Sequence, residues 1–199
     1  MFGSMGSDPR SKSIGMQPMN NPTLAHPPAN NPLTAALGYA ARGWPVLPLH
    51  WPLGQGCSCG RRNCGNVGKH PLTEHGLHDG SLEPAEIRGW WTKWPDANIG
   101  IVTGQLSRLL VVDVDPRHGG LESLPRLESI IGPLPVSYTV TTGGGGTHYY
   151  FALPPGVAVP SSNGKIAPGI DIKADGGYIV APPSLHKSGR CYERVEAAS

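Results

Sequence analysis

No apolar run in this chain of 199 residues approaches the roughly 18 residues that a membrane-spanning helix requires. The N-terminus also lacks the apolar segment of a secretory signal. Both absences argue against a membrane or an exported protein and for the cytoplasm, where free thiols and metal thiolates outlast disulfides. Charged residues are scarce, at 15%, and the formal net charge is only +2. That balance gives no argument for nucleic acid by itself; a local basic groove would be needed. Residues 1–32 lack any periodic apolar pattern and consist largely of Met, Gly, Ser, Asn and Pro. Such a stretch cannot bury enough surface to offset its ordering entropy. We therefore expect a disordered tail over 1–32 and one folded domain over 33–199.

What the chain does have is 28 glycines and 22 prolines, which suit short elements joined by turns and exclude a helical bundle. A hydrophobic content of 38% still supports a core. Leu33, Ala36, Leu37 and Ala40 recur at helical spacing until Gly43. Trp44 to Leu49 reads as a strand whose prolines favour a sheet edge. A second helix is expected from an N-cap at Ser81, with Ile87, Trp90, Trp91 and Trp94 on one face. Those tryptophans suit packing better than base stacking. Strands are expected at 98–102, 108–114, 137–142, 147–151, 169–173 and 178–181, with a weak helix over 119–131 and a last strand around Cys191. Cys191 itself reads as a buried thiol.

The chemistry concentrates at Leu109-Leu110-Val111-Val112-Asp113-Val114-Asp115-Pro116. A valine-rich run stopped by proline reads as a buried strand. Residues two apart share a face, so Asp113 and Asp115 stand side by side at its end. Two carboxylates that close repel unless a proton or cation lies between them. Hard divalent cations such as Mg²⁺ are held by one or two carboxylates together with phosphate oxygens. Asp171, in Gly169-Ile170-Asp171-Ile172-Lys173, adds a third strand-borne acid with Lys173 on the same face.

Two further stretches point to ligands. Cys57, Cys59, Cys64 and His70 follow a C-x-C-x4-C-x5-H pattern within the loop 54–71. Thiols clustered in a glycine-rich loop suit one tetrahedral, structural Zn²⁺, with His50 or His75 as possible replacements for His70. Arg61, Arg62 and Lys69 lie on the same loop and could touch phosphates. The second stretch is Gly143 to Gly146 followed by Thr147-His148. Four glycines free a backbone to approach a ligand and aim N–H groups at an anion; His148 stands directly beyond.

In this order, the pieces resemble the bifunctional primase–polymerase (Prim-Pol) domains of the archaeo-eukaryotic primase superfamily. The first motif is Val111-Val112-Asp113-Val114-Asp115, the second Gly145-Gly146-Thr147-His148-Tyr149-Tyr150-Phe151, and the third Gly169-Ile170-Asp171-Ile172-Lys173 with Gly176-Gly177-Tyr178-Ile179-Val180-Ala181-Pro182-Pro183-Ser184 after it. Ala35 to Val46 and Gly68-Lys69-His70-Pro71 also resemble this family. The resemblance implies an α/β (α+β) fold: an RRM-like catalytic sheet beside a smaller α/β module, with the active site in the cleft between. It implies that Asp113, Asp115 and Asp171 bind two catalytic Mg²⁺ or Mn²⁺ ions and that His148 contacts the nucleotide's phosphates. Gly146, Lys173 and Ser184 carry over as further nucleotide-binding residues. The implied activity is DNA-templated joining of NTP or dNTP to a 3′-OH, with pyrophosphate released. The implied partners are single-stranded template, primer and, because many members are fused to one, a helicase; the implied setting is a prokaryotic cell, plasmid, phage or prophage. Two alternatives stand beside it. A metal-dependent nuclease or phosphohydrolase would want a positioned water and a second acid or histidine, and no H-x-D, D-x-H or H-x-H pair occurs. A non-catalytic single-strand-binding module would have no use for three strand-borne acids.

Overall fold

In the computed structural model, residues 17–18, 31–135 and 137–195 are described. Most of the expected tail lies outside them. Gln17–Pro18 forms β1, a two-residue strand. The first helix, α1 (Pro32–Ala40), starts where the sequence suggests: Asn31 caps it by accepting from the Thr34 N–H, and Pro32 occupies the first turn, where no intrahelical N–H is needed. β2 (Val46–Leu49) follows, then a small hairpin of β3 (Pro52–Leu53) and β4 (Gly56–Cys57). The second helix, α2 (Pro84–Lys93), begins later than expected. Ser81 does not cap it; the Ser81 hydroxyl accepts from the Glu83 N–H, and Glu83 takes the cap position without a side-chain bond. Ser81 is instead tied to Val46 by backbone bonds in both directions, which holds it outside the helix.

β5 (Asn98–Val102) is the middle strand of a three-stranded antiparallel sheet ordered β11-β5-β2, where β11 is Tyr178–Ala181. The edge position of β2 is the one its prolines favour. Val46, Leu47, Leu49, Ile99 and Ile101 are fully buried here against Ala36 and Tyr39 of α1 and Ile87 and Trp91 of α2. Trp91 is buried and donates its indole N–H to Ala97 O, while Trp90 and Trp94 pack on the same core. None of the three is a free stacking platform.

β6 (Leu109–Val114), β7 (Tyr138–Thr141), β8 (Thr147–Ala152), β9 (Ser162–Ala167), β10 (Ile170–Lys173) and β12 (Glu193–Val195) build the larger sheet, and α3 (Gly120–Ile131) packs on it. Its order is β12-β7-β8-β6-β10-β9, all antiparallel, with β1 set against Phe151 and Ala152. Alternation along β6 divides its side chains between two cores. Leu110, Val112 and Val114 pack with Phe151 and Ile170 beneath Leu124 and Leu127 of α3. Leu109 and Val111 join Tyr150 and Val140 in the core of the smaller sheet, where Trp44 lies 6.0 Å from Tyr150. The apolar stripe expected along α3 is only half used: Leu121, Ile130 and Ile131 are exposed.

β9 was not expected. Its residues are mostly exposed and show no apolar alternation, because it is an edge strand held to β10 by backbone pairing. Cys191 is exposed, not buried; it sits where Leu185 and Cys191 make a single bridge closing a surface turn. Among the described residues no helix is long and apolar enough to cross a membrane.

Candidate active site and metal cluster

Asp113 interrupts the apolar run of β6 one position before its end, and sheet register chooses its neighbours. Asp171 of β10 is directly opposite on one side and His148 of β8 on the other. Opposite residues of antiparallel strands share a face, so Asp171, Asp113 and His148 form one row. The next row on that face is Lys173, Val111 and Tyr150. Val111 and Tyr150 are fully buried, whereas the acid row opens into a pocket of about 480 Å³. Asp115, just past the strand, lines the same pocket, as do Lys69, Lys173, Tyr178 and Tyr192.

Each acid has its own partner. His148 Nε2 lies 3.5 Å from Asp113 Oδ1. Burial pushes the Asp113 carboxyl up, but the bond and charge of His148, with Lys173 and Lys69 beyond, outweigh it and hold the group below its ordinary value. Asp115 caps the short 3-10 turn Pro116–His118 and receives Arg117 Nη2 at 2.7 Å, Arg117 Nε at 3.0 Å and His118 Nδ1 at 3.0 Å. The Arg117 guanidinium keeps it far below the usual carboxylate range. Asp171 bonds Lys173 Nζ at 2.9 Å and accepts from the Gly164 N–H. The repulsion expected between bare carboxylates is therefore already relieved by neighbouring basic side chains. The three acids are turned to separate partners and do not form a gathered ligand set of the kind the cysteines form.

The cysteine loop does converge. The ligand atoms of Cys57, Cys59, Cys64 and His70 all lie within 4.8 Å of one another. His70 Nε2 is 3.6 Å from Cys57 Sγ and 3.5 Å from Cys64 Sγ. Three sulfurs and one nitrogen at this closeness fit a tetrahedral structural zinc. The other candidates are otherwise engaged: His50 Nδ1 meets Ser58 Oγ at 2.8 Å, its ring against that of His70, and His75 pairs with Asp79.

The sequence model of the bifunctional DNA primase/polymerase N-terminal domain matches residues 36–198. The chain belongs to the Prim-Pol family. A search of curated proteins finds no match. The Prim-Pol match runs from α1 through β12, so it takes in both larger sheets, the acid row and the cysteine loop. Membership makes the chain a primase/polymerase enzyme, and the family implies a DNA template and nucleotide substrates.

Within this Prim-Pol domain, not every residue singled out from sequence reaches the pocket. Ser184 is buried away from it, its hydroxyl accepting from the Ile99 N–H at 2.8 Å. The glycine turn is closed on the protein itself. Gly143 O accepts from Ser188 Oγ and Arg190 Nε, and a side chain at Gly143 would strike His186. The Gly146 N–H donates to Thr142 Oγ1, and a Cβ there would meet Val114 O. The glycines thus answer close packing at the end of β6. Several residues in or near the site escaped notice. Arg117 and His118 follow the acid pair directly, and a Pro-Arg-His turn after two carboxylates was a legible signal. Tyr192 lies 6.0 Å from the His148 ring and nothing local marks it. His186, 6.2 Å beyond Tyr192, is lowered to about 4 by burial and then by Lys69, Arg117, Lys187 and Arg190, so it is neutral at pH 7.

Proposed function

We propose that residues 33–199 form one catalytic domain that joins NTP or dNTP to a 3′-OH on a single-stranded DNA template, using two divalent cations. The observation that carries this is the row Asp171–Asp113–His148, with Asp115 beside it, at the mouth of one pocket. The donors fit the cations: all three acids offer hard oxygens, as Mg²⁺ and Mn²⁺ require. Ions held by Asp113, Asp115 and Asp171 would supply charge stabilisation at the attacking and leaving oxygens. The protein's own groups do the rest. His148 is 5% exposed and lines the pocket with Nε2 beside Asp113, from where it would bond phosphate oxygens. Arg117 and Lys173, now paired with Asp115 and Asp171, become available to the triphosphate when those carboxylates turn to cations. Gly146 acts through backbone closeness, leaving room between β6 and the hairpin.

The fold supports the same proposal. Counting β6, β7, β8 and β10 as strands one to four, their order across the sheet is four, one, three, two, with α3 crossing between the first two. That order supports an RRM-like reading of the sheet, and the lining of the pocket by Tyr178, Ile179 and Val180 of the smaller sheet supports an active site in a cleft between the two. Primer and template are the proposed partners, with a helicase as a further one.

Pyrophosphate release with dNTP and Mn²⁺ is expected to depend on template; equal release without template would reject templated synthesis. His148→Ala is expected to weaken nucleotide binding about tenfold or more by removing a charge-assisted phosphate bond. Affinity for single-stranded DNA should be unchanged in the same variant. Unaltered nucleotide affinity, measured by titration, would remove His148 from the nucleotide site.

A further inference from the structure

The cations around the acid pocket differ in what they touch. Arg117 is committed to Asp115, and Lys173 Nζ bonds both Asp171 Oδ2 and Asn163 Oδ1, the latter at 2.7 Å. Lys69 lines the same pocket, is half-buried, and makes no ion pair or side-chain hydrogen bond among the described residues. It is within electrostatic reach of Asp113, Asp115, Arg117 and Lys187 but bonded to none of them. An ammonium partly withdrawn from water without an anion on it is unfavourable, and is relieved by an anionic ligand.

The backbone that carries Lys69 is fixed on every side. Its N–H donates to Asn66 O at 3.0 Å and its C=O accepts from the Tyr178 hydroxyl at 2.9 Å. The preceding Gly68 C=O accepts from Asn98 Nδ2 at 2.8 Å, and Gly68 has a φ of +73° and no room for a side chain beside Pro52. The following residue is His70, the nitrogen member of the Cys57–Cys59–Cys64–His70 cluster. The metal cluster and the acid pocket are thus one peptide unit apart.

We propose that Lys69 binds phosphate oxygens of the incoming nucleoside triphosphate, and that the metal cluster's role is to hold it there; this rests on the nucleotidyltransferase function proposed above. A lysine presents a compact charge with three donors, suited to a triphosphate whose oxygens point in several directions. The phosphate is assigned to a nucleotide and not to the template strand because the pocket is a concavity of about 480 Å³, the scale of a small-ligand site.

The test is equilibrium titration of the full chain with a base-labelled fluorescent dATP and Mn²⁺, alongside a labelled single-stranded oligonucleotide. Lys69→Met is expected to raise the nucleotide Kd about tenfold to a hundredfold, Lys69→Arg to recover part of the loss, and oligonucleotide affinity to hold. Zinc removed by dialysis against chelator before Mn²⁺ is added should bring the parent to the Kd of Lys69→Met and leave Lys69→Met where it was. If Lys69→Met lowers the melting temperature, Lys69→Gln gives the same comparison. An unchanged nucleotide Kd in the variant, or a loss confined to the oligonucleotide, overturns the assignment. Equal weakening of parent and variant on zinc removal shows that the cluster does not act through Lys69. A parent that binds no nucleotide at all rejects the function proposed above, a distinct result.

Discussion

Asp113→Ala is expected to abolish primer extension with Mn²⁺ on a single-stranded template. Asp113 is the centre of the row, with Asp171 and His148 opposite it on the two flanking strands. Its removal would take one oxygen donor from the proposed catalytic cations and also the partner of His148 Nε2. Losing a metal-borne contribution to the transition state is expected to lower the rate by about a thousandfold or more, since each 1.4 kcal/mol is tenfold. Fold stability should change little. The remaining acids keep Arg117 and Lys173. The metal-free melting temperature is expected to fall by only about 2–4 °C, the shift for roughly 1 kcal/mol in a chain of this size. From mutual repulsion alone, deleting one acid should leave apo stability the same or raise it slightly; the basic partner beside each carboxylate reverses that sign. If Asp113→Ala extends primers at the parent rate, the acid row is not the metal site.

The second large effect concerns zinc. Protein purified without chelator is expected to carry about one zinc per chain, because Cys57, Cys59, Cys64 and His70 are already gathered. Cys59→Ser should lower that content sharply. The large sheet should survive, since its apolar contacts, Val112 and Val114 with Phe151 and Ile170, do not pass through the loop. The loop should not: loss of a structural metal is expected to lower the melting temperature by about 4–8 °C, corresponding to roughly 2 kcal/mol. Metal analysis that finds no zinc in parent protein would reject the cluster as a zinc site. Intact zinc content in Cys59→Ser would remove Cys59 from it.

How much was legible depended on the range over which a residue's partner is chosen. β5, β6, β8, β10 and β11 announced themselves by apolar, β-rich runs bounded by glycine or proline, and the cysteine loop by spacing within 57–70. β9 did not, because an exposed edge strand needs no apolar alternation. Ser184 carried the family motif, yet its partner is the Ile99 N–H 85 positions away, and no local pattern records that bond. The glycine run suggested an anion cradle; only packing shows that Gly143 makes room for His186.

By itself, then, the sequence determined which residues could bear the chemistry: three acids at strand positions, a histidine after a glycine turn, three cysteines and a histidine in one loop. These are consequences of backbone periodicity and short spacings, which a linear chain carries within a few residues. Tertiary structure alone decided that Asp171 and His148 flank Asp113 in one row, that each acid has its own basic partner, and that Lys69 reaches the pocket with no acid bonded to it. Those pairings follow from sheet register and from a loop fixed against β5 and Tyr178, contacts between segments far apart along the chain whose geometry exists only once both cores are packed.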